Sequence, residues 1–304
     1  MAISRAQLVK ELEPGLNALF GLEYKRYENQ HAEIYTTESS DRAFEEEVML
    51  SGFANANVKV EGSGVSYDEA QETYTARYTH DTLALAFSIT EEAIEDNLYD
   101  RLASRYTKAL ARSMSNAKQV KAVTPLIDGL PSTDGYDSGD GVSLFNTSHT
   151  TVSGTAVKNT LSTQADLNET SLEQALIDIA GMTDERGLRV AARGVKMIIP
   201  SANQFNAERL MKSQGRTGTA DNDINAVASM GMIPQGYRVN NFLTDTDSWY
   251  IITDVPNGMK MFQRAALKTA MEGDFDTGNV RYKARERYSF GVSDFRGIFG
   301  VEGA

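Results

Sequence analysis

Residues 90–123, TEEAIEDNLYDRLASRYTKALARSMSNAKQVKAV, contain neither glycine nor proline. Ile94, Leu98, Leu102, Ala109, Leu110, Met114 and Ala117 recur there at three- and four-residue spacing, the period of an amphipathic helix. At ~1.5 Å per residue the rod would be about 50 Å long, where a mean helix has only ~11–12 residues. Thr90 reads as its N-cap and Thr124-Pro125 as its stop. Its charges are sorted: Glu91, Glu92, Glu95, Asp96 and Asp100 crowd the first turns, and Arg101, Arg105, Lys108, Arg112, Lys118 and Lys121 fill the rest. The order complements the helix dipole. Neighbours at i+4, such as Glu91/Glu95, Asp96/Asp100 and Arg101/Arg105, nevertheless carry like charges, which costs a few tenths of a kcal/mol per pair. The helix therefore reads as a bipolar strut whose charge blocks meet other segments or other subunits; a solvated charged face is the plainer alternative.

Working outward, the period changes to two on the N-terminal side. Val58/Val60 and Val65/Tyr67, then Tyr74/Ala76/Tyr78 with Arg77 and three threonines opposite, predict an extended hairpin over residues 58–79. A two-stranded ribbon is marginal unless it packs on something, so a partner surface is implied. Leu83/Leu85/Phe87/Ile89 bring the chain back to a core. Before the ribbon lie a short helix over residues 5–20, interrupted at Pro14-Gly15, and a polar stretch at 24–41; together they read as an arm.

On the C-terminal side, a loop at 129–140 leads to a mixed α/β region. Helices are predicted at 172–182 and 201–211, strands at 195–199, 237–240 and 249–254, and a flexible polar segment at 212–223. From residue 260 a second ribbon begins. Val280, Tyr282, Ala284, Glu286, Tyr288, Phe290 and Val292 alternate with Arg281, Lys283, Arg285 and Arg287, a ladder of four cations. Buried cations need partners, and the acidic half of the long helix is the expected source.

Composition bounds the function. The 304 residues are 41% hydrophobic, enough for a core in two lobes, with 30 Lys and Arg against 42 Asp and Glu, a net charge of −12. So acidic a surface repels nucleic acid and anionic membranes on average. There is no cysteine, no run of about 18 apolar residues and no hydrophobic signal region at the N-terminus, which argues against export and membrane insertion. Phosphate-binding, dinucleotide, nucleophile-elbow and zinc-protease motifs are all absent from the sequence. The only catalytic candidate is Ser148 beside His149, a small-hydrolase reading whose plainer alternative is a loop histidine binding backbone. Asp128, Asp134, Asp137 and Asp140 lack the spacing of a calcium loop. No cofactor or metal is expected.

An arm, a ribbon, a strut helix, a mixed α/β lobe and a return strand, all without catalytic motifs, form an assembly protein's layout. The order resembles the HK97-type major capsid proteins of tailed phages. Ser40-Asp41-Arg42-Ala43-Phe44-Glu45-Glu46, Ser88-Ile89-Thr90-Glu91-Glu92, Leu144-Phe145-Asn146, Met197-Ile198-Ile199-Pro200 and Tyr288-Ser289-Phe290-Gly291-Val292 carry the likeness in wording. It implies an α+β fold with an N-terminal arm at 1–48, an E-loop and its return at 49–89, a P-domain spine helix at 90–124, an A domain at 125–254 and P-domain strands at 255–304. It also implies a homo-oligomer of hexamers and pentamers forming an icosahedral head around double-stranded DNA, without sequence-specific binding; the net charge suits such a container. Portal, scaffolding and decoration proteins are implied partners, the host cytoplasm the place of assembly, and the virion the destination. Some members weld neighbours through a lysine–asparagine isopeptide; Lys59 is the only lysine in this E-loop, and no motif places an asparagine partner. Expected contacts between subunits involve Val58, Lys59, Val60, Tyr67, Tyr74, Arg77, Tyr78, Glu91, Glu92, Glu95, Asp96, Asp100, Arg101, Arg105, Arg281, Lys283, Arg285 and Arg287. An encapsulin-like shell storing a cargo enzyme shares the fold, and an exported surface-layer protein suits the composition.

Overall fold

The computed structural model describes residues 5–95, 99–133, 135–216, 223–274 and 276–304, with side chains left aside at 5–12 and 94–102. Helix α1 (Arg5–Arg26) is followed by a 3-10 turn (Gln30–Glu33), β1 (Thr36–Ser39), β2 (Phe44–Leu50), β3 (Glu72–Thr79) and β4 (Asp81–Ile89). Helices α2 (Glu91–Glu95) and α3 (Tyr99–Asp128) lead to the short strands β5 (His149–Thr150) and β6 (Ala156–Val157). Then come α4 (Glu169–Ala180), β7 (Gly194–Ile199), α5 (Gln204–Lys212), α6 (Ala226–Met230), β8 (Tyr237–Val239) and β9 (Trp249–Thr253). The long strands β10 (Met259–Gly273) and β11 (Val280–Val292) precede β12 (Ile298–Val301).

Two four-stranded sheets organise the chain. The first has the order β1-β10-β11-β4, the second β12-β9-β7-β8. Along β11 the alternation is as strong as the sequence suggests: Tyr282, Ala284, Glu286 and Tyr288 are buried, while Arg281, Lys283 and Arg285 are exposed. The buried face of the first sheet carries α1 and α3, in a core of Leu16, Phe20, Ile89, Leu110, Ala111, Met114, Tyr282 and Ala284. Further along, Ala122, Val123 and Leu126 of α3 enter the second and larger core with Trp249, Tyr250, Ile251, Phe295 and Phe299. One helix thus ties two cores together.

Both prolines expected to break helices sit inside them, Pro14 in α1 and Pro125 in α3. A proline deprives the carbonyl four residues earlier of its bond and crowds it, at about 3 kcal/mol or more. Here burial beyond each proline outweighs that cost: Leu16 and Phe20 anchor α1, and Leu126 and Leu130 anchor the end of α3. The arm is correspondingly pinned to its own chain, with β1 running parallel to β10 and Ile34 and Tyr35 inside the larger core.

The ribbon also differs from expectation. Its first strand is β2, paired antiparallel with β3 from Phe44↔Thr79 to Leu50↔Glu72, so it starts inside the expected arm. Residues 51–71, where the Val58/Val60 strand was expected, have no regular strand. Serial acids in Phe44-Glu45-Glu46-Glu47-Val48 hide β2 from any search for apolar alternation. At the other end, the chain from residue 255 supplies β10 and β11 to the first sheet, but β12 pairs with β9 in the second.

Candidate assembly interface

The root of the ribbon is built into the body. On β3, Tyr74 is half-buried while Ala76 and Tyr78 are buried; the Tyr78 ring meets Phe262 edge-on at 4.7 Å and its hydroxyl lies 2.5 Å from Ser293 Oγ. Tyr74 donates to the Ser293 carbonyl at 3.4 Å. Burial pushes the hydroxyl pKa of both tyrosines above the ordinary value. Both of these residues are thus engaged within their own chain. Lys260, almost fully buried, lies 2.5 Å from Glu47 of β2 and 3.2 Å from Glu38 of β1, so one ammonium ties ribbon and arm to β10. The buried imidazole of His80 joins Ser40 Oγ and Ser289 Oγ, each at 2.9 Å, and Ser40 donates to Glu45 at 2.6 Å.

Beyond this root the character reverses. Phe53, Val58, Val60, Val65 and Tyr67 are exposed, Val58 at 94% and Tyr67 at 97%. Lys59 is exposed beside them. Arg77, on the outer face of β3, stacks over Phe44 at 4.1 Å and approaches Glu46 at 3.7 Å. Scattered exposed apolar side chains are ordinary, whereas here several are concentrated on one exposed loop.

The cation ladder faces away from α3. Since α1 and α3 cover the side of Tyr282 and Glu286, the arginines point to the opposite side; the expected pairing with the acidic half of the long helix falls largely outside the described side chains, which do not include those of Glu95, Asp96 and Asp100. Arg281 pairs with Asp274 in the same hairpin. Arg287 reaches the Ala43 carbonyl at 3.4 Å, and Lys283 and Arg285 are exposed. On the covered side, where β11 supplies an acid, the helix supplies the base: Lys118 Nζ lies 3.3 Å from Glu286, and the Tyr24 hydroxyl donates to the same carboxylate at 3.4 Å. Burial raises the Glu286 carboxyl pKa, and Lys118 and Tyr24 offset part of that rise.

Of the helix-start acids, Asp96 lies outside the described residues, and Glu95, Asp100 and Arg101 are described in backbone only. Glu91 is half-buried, its carboxylate filling the space that a Cβ on Gly278, in the β10–β11 turn, would need. Glu92 and Arg105 are exposed. Ala93 N–H donates to Thr90 Oγ1 at 3.4 Å, the cap expected at this end.

Ser148 and His149 do not form a nucleophile–base pair. The His149 ring is fully buried and stacked on Phe295 at 3.8 Å, with Nδ1 2.6 Å from Asp140 and Nε2 3.1 Å from Asn159 Oδ1. Asn159 is oriented by donating to the carbonyls of Leu144, Phe295 and Ile298. Burial pushes the Asp140 carboxyl up, but hydrogen bonds from His149 and Ser138 outweigh it and hold that carboxyl below its ordinary range. The cluster fastens the 136–160 region to the C-terminal segment, and both ring nitrogens are spent on it. Among the described residues, no group of three or more His, Asp or Glu is arranged to hold a metal ion. No described helix is long and apolar enough to cross a membrane.

Comparison with known proteins agrees with this geometry. Residues 73–301 match the model of a family described as phage capsid protein. No curated protein matches. Among solved structures, the capsid of an empty GTA particle superposes with a TM-score of 0.59 at 12% identity, covering 91% of each chain. The procapsid of bacteriophage JBD30 gives 0.55 at 14% identity, covering 99% of this chain and 77% of the other. The capsid of Myoviridae phage XM1 gives 0.53 at 11% identity, covering 89% of each. At such identities the likeness establishes the fold, which is HK97-like; the family match carries the rest.

Proposed function

The chain belongs to the phage capsid protein family, as the match over residues 73–301 establishes, and from that premise we propose how it builds its shell. It is a structural, self-assembling major capsid protein. Copies associate as hexamers and pentamers into an icosahedral head around double-stranded DNA, with residues 1–43 as arm, 44–89 as E-loop ribbon and its return, 90–124 as spine, 125–254 together with β12 as A domain, and β10 and β11 returning beside the spine. The observation that carries this reading is the concentration of exposed apolar side chains at residues 51–71 on a body whose own cores are already closed. The exposed face of Arg281, Lys283 and Arg285 is a second contact surface, suited to the acids of an adjoining copy. DNA is enclosed without base-specific contacts, because the subunit's net charge of −12 opposes close binding. Portal, scaffolding and decoration proteins are the partners of this reading, with assembly in the host cytoplasm and the virion as destination. The encapsulin-like alternative has no better support, since the matching family is that of phage capsids.

Electron microscopy of the purified protein, concentrated with and without a co-expressed scaffolding chain, tests the reading. Closed polyhedral shells are expected. A chain that stays monomeric under every condition would overturn it.

A further inference from the structure

The turn at 183–189 stands against the base of the ribbon and is unusually well braced. Asp184 accepts from the amides of Arg186 and Leu188 at 2.9 and 2.8 Å, its own amide donates to the Leu188 carbonyl at 2.7 Å, and Gly187 supplies a left-handed φ of +83°. Behind it sits Arg296, 2% exposed, whose guanidinium donates to the Thr183 carbonyl at 2.8 Å, to Glu185 at 2.7 Å and to Asp294 at 3.2 Å. Glu185 also accepts from the Val152 amide at 3.3 Å. A buried cation shared among these acceptors holds the turn from inside.

What the turn presents outward is Arg186. Its Nη2 donates to the Glu69 carbonyl at 2.5 Å and lies 3.7 Å from the Asp68 carboxylate. Asp68 in turn accepts the Ala54 amide at 2.7 Å, across the neck of the loop, and the neck is closed by Ser51 N–H donating to the Gln71 carbonyl at 2.9 Å. The last fixed point before the exposed stretch of Val58, Val60, Val65 and Tyr67 is therefore a contact with the lobe of the second sheet, not with the sheet from which the ribbon springs.

We propose that the 183–189 turn is a bracket: Arg186, held by the Arg296–Glu185 pair, positions the neck of the E-loop so that its tip leaves the body in one direction and meets a second copy of this chain with one geometry. The inference rests on the shell reading above and adds to it a determinant of shell uniformity. A two-stranded projection has little stiffness of its own, and small differences in its departure angle become large displacements at the tip.

The test compares wild type with Arg186→Ala and Arg186→Lys by hydrogen exchange of the unassembled subunit and by the diameters of assembled shells. Arg186→Ala is expected to speed exchange at the Ala54 and Ser51 amides about tenfold or more while leaving Ile251 in the lobe sheet unchanged, and to broaden the distribution of shell diameters. Arg186→Lys, which keeps a charged donor, is expected to recover part of both. Unchanged protection at Ala54, or faster exchange with shells as uniform as wild type, would overturn the bracket. Failure of wild type itself to form shells would overturn the shell reading instead, and the exchange comparison would still decide whether Arg186 holds the neck.

Discussion

The lobe sheet and the β2–β3 ribbon satisfy their strands in opposite ways. In β9 and β12 nearly every residue is buried, including Trp249, Tyr250, Ile251 and Phe299. In β2 exposed and half-buried positions alternate, and the loop beyond it leaves Tyr67 at 97% exposure. The first region completes its packing within one chain. The second is anchored within the chain at its root, through Tyr78, Lys260 and Arg186, and leaves its apolar tip exposed. On the proposed reading, subunit stability and assembly fall to different residues, and substitutions should separate them.

The largest effect is expected in the lobe. Trp249→Ala removes a fully buried indole and should destabilise the isolated subunit by about 3–5 kcal/mol in urea unfolding. A loss near zero would mean that the lobe is not the stabilising half. Next is the arm at His31. Gln119 accepts the His31 backbone N–H at 2.9 Å and donates to Nδ1 at 3.0 Å, an arrangement that needs a neutral ring. Burial, with the nearby Lys118 charge, lowers its pKa to about 4. An unfolded histidine takes up its proton near 6.5, so this stability is complete above that pH and is lost as pH falls toward 4, by up to about 3 kcal/mol. Unfolding free energies at pH 7 and 4.5 should differ more for wild type than for His31→Asn; equal differences would remove His31 as the cause.

A smaller change is expected at the ribbon's root. Lys260→Met leaves Glu38 and Glu47 without their shared cation, but both carboxylates are partly solvated, so the subunit should lose only about 1–2 kcal/mol. Amide exchange in β2 should quicken more than in β9. Smallest of all, Tyr67→Ser should change subunit stability by less than about 0.5 kcal/mol while sharply reducing shell yield. Normal assembly of that variant would end the division of labour between lobe and tip.

The sequence made much of this division readable. The alternation of Tyr282, Ala284 and Glu286 with Arg281, Lys283 and Arg285 predicted β11 because one face is covered and the other is not. Helix α4 announced itself through Leu172, Leu176 and Ile179. Elements held by tertiary contacts were less visible. Strand β1, Thr36-Thr37-Glu38-Ser39, is exposed throughout and owes its form to pairing with β10. Pro14 and Pro125 signal helix ends locally but are overridden by cores tens to hundreds of residues distant in sequence. The contact candidates divided for the same reason: an apolar period marks Tyr78 and Val58 alike, and only the fold reveals that the first is covered by Phe262 while the second is bare. Arg186 and Lys260 carried no sequence signal, since single cations gain meaning only from the carboxylates and carbonyls that the fold brings to them.

The position of residues 51–71 in an assembled particle tests the central claim most directly. In a cryo-electron microscopy map of the shell, Val58, Val60 and Tyr67 should be buried against an adjoining subunit while Tyr78 remains on Phe262 of its own. A closed shell in which that loop touches only solvent or its own subunit would contradict the account.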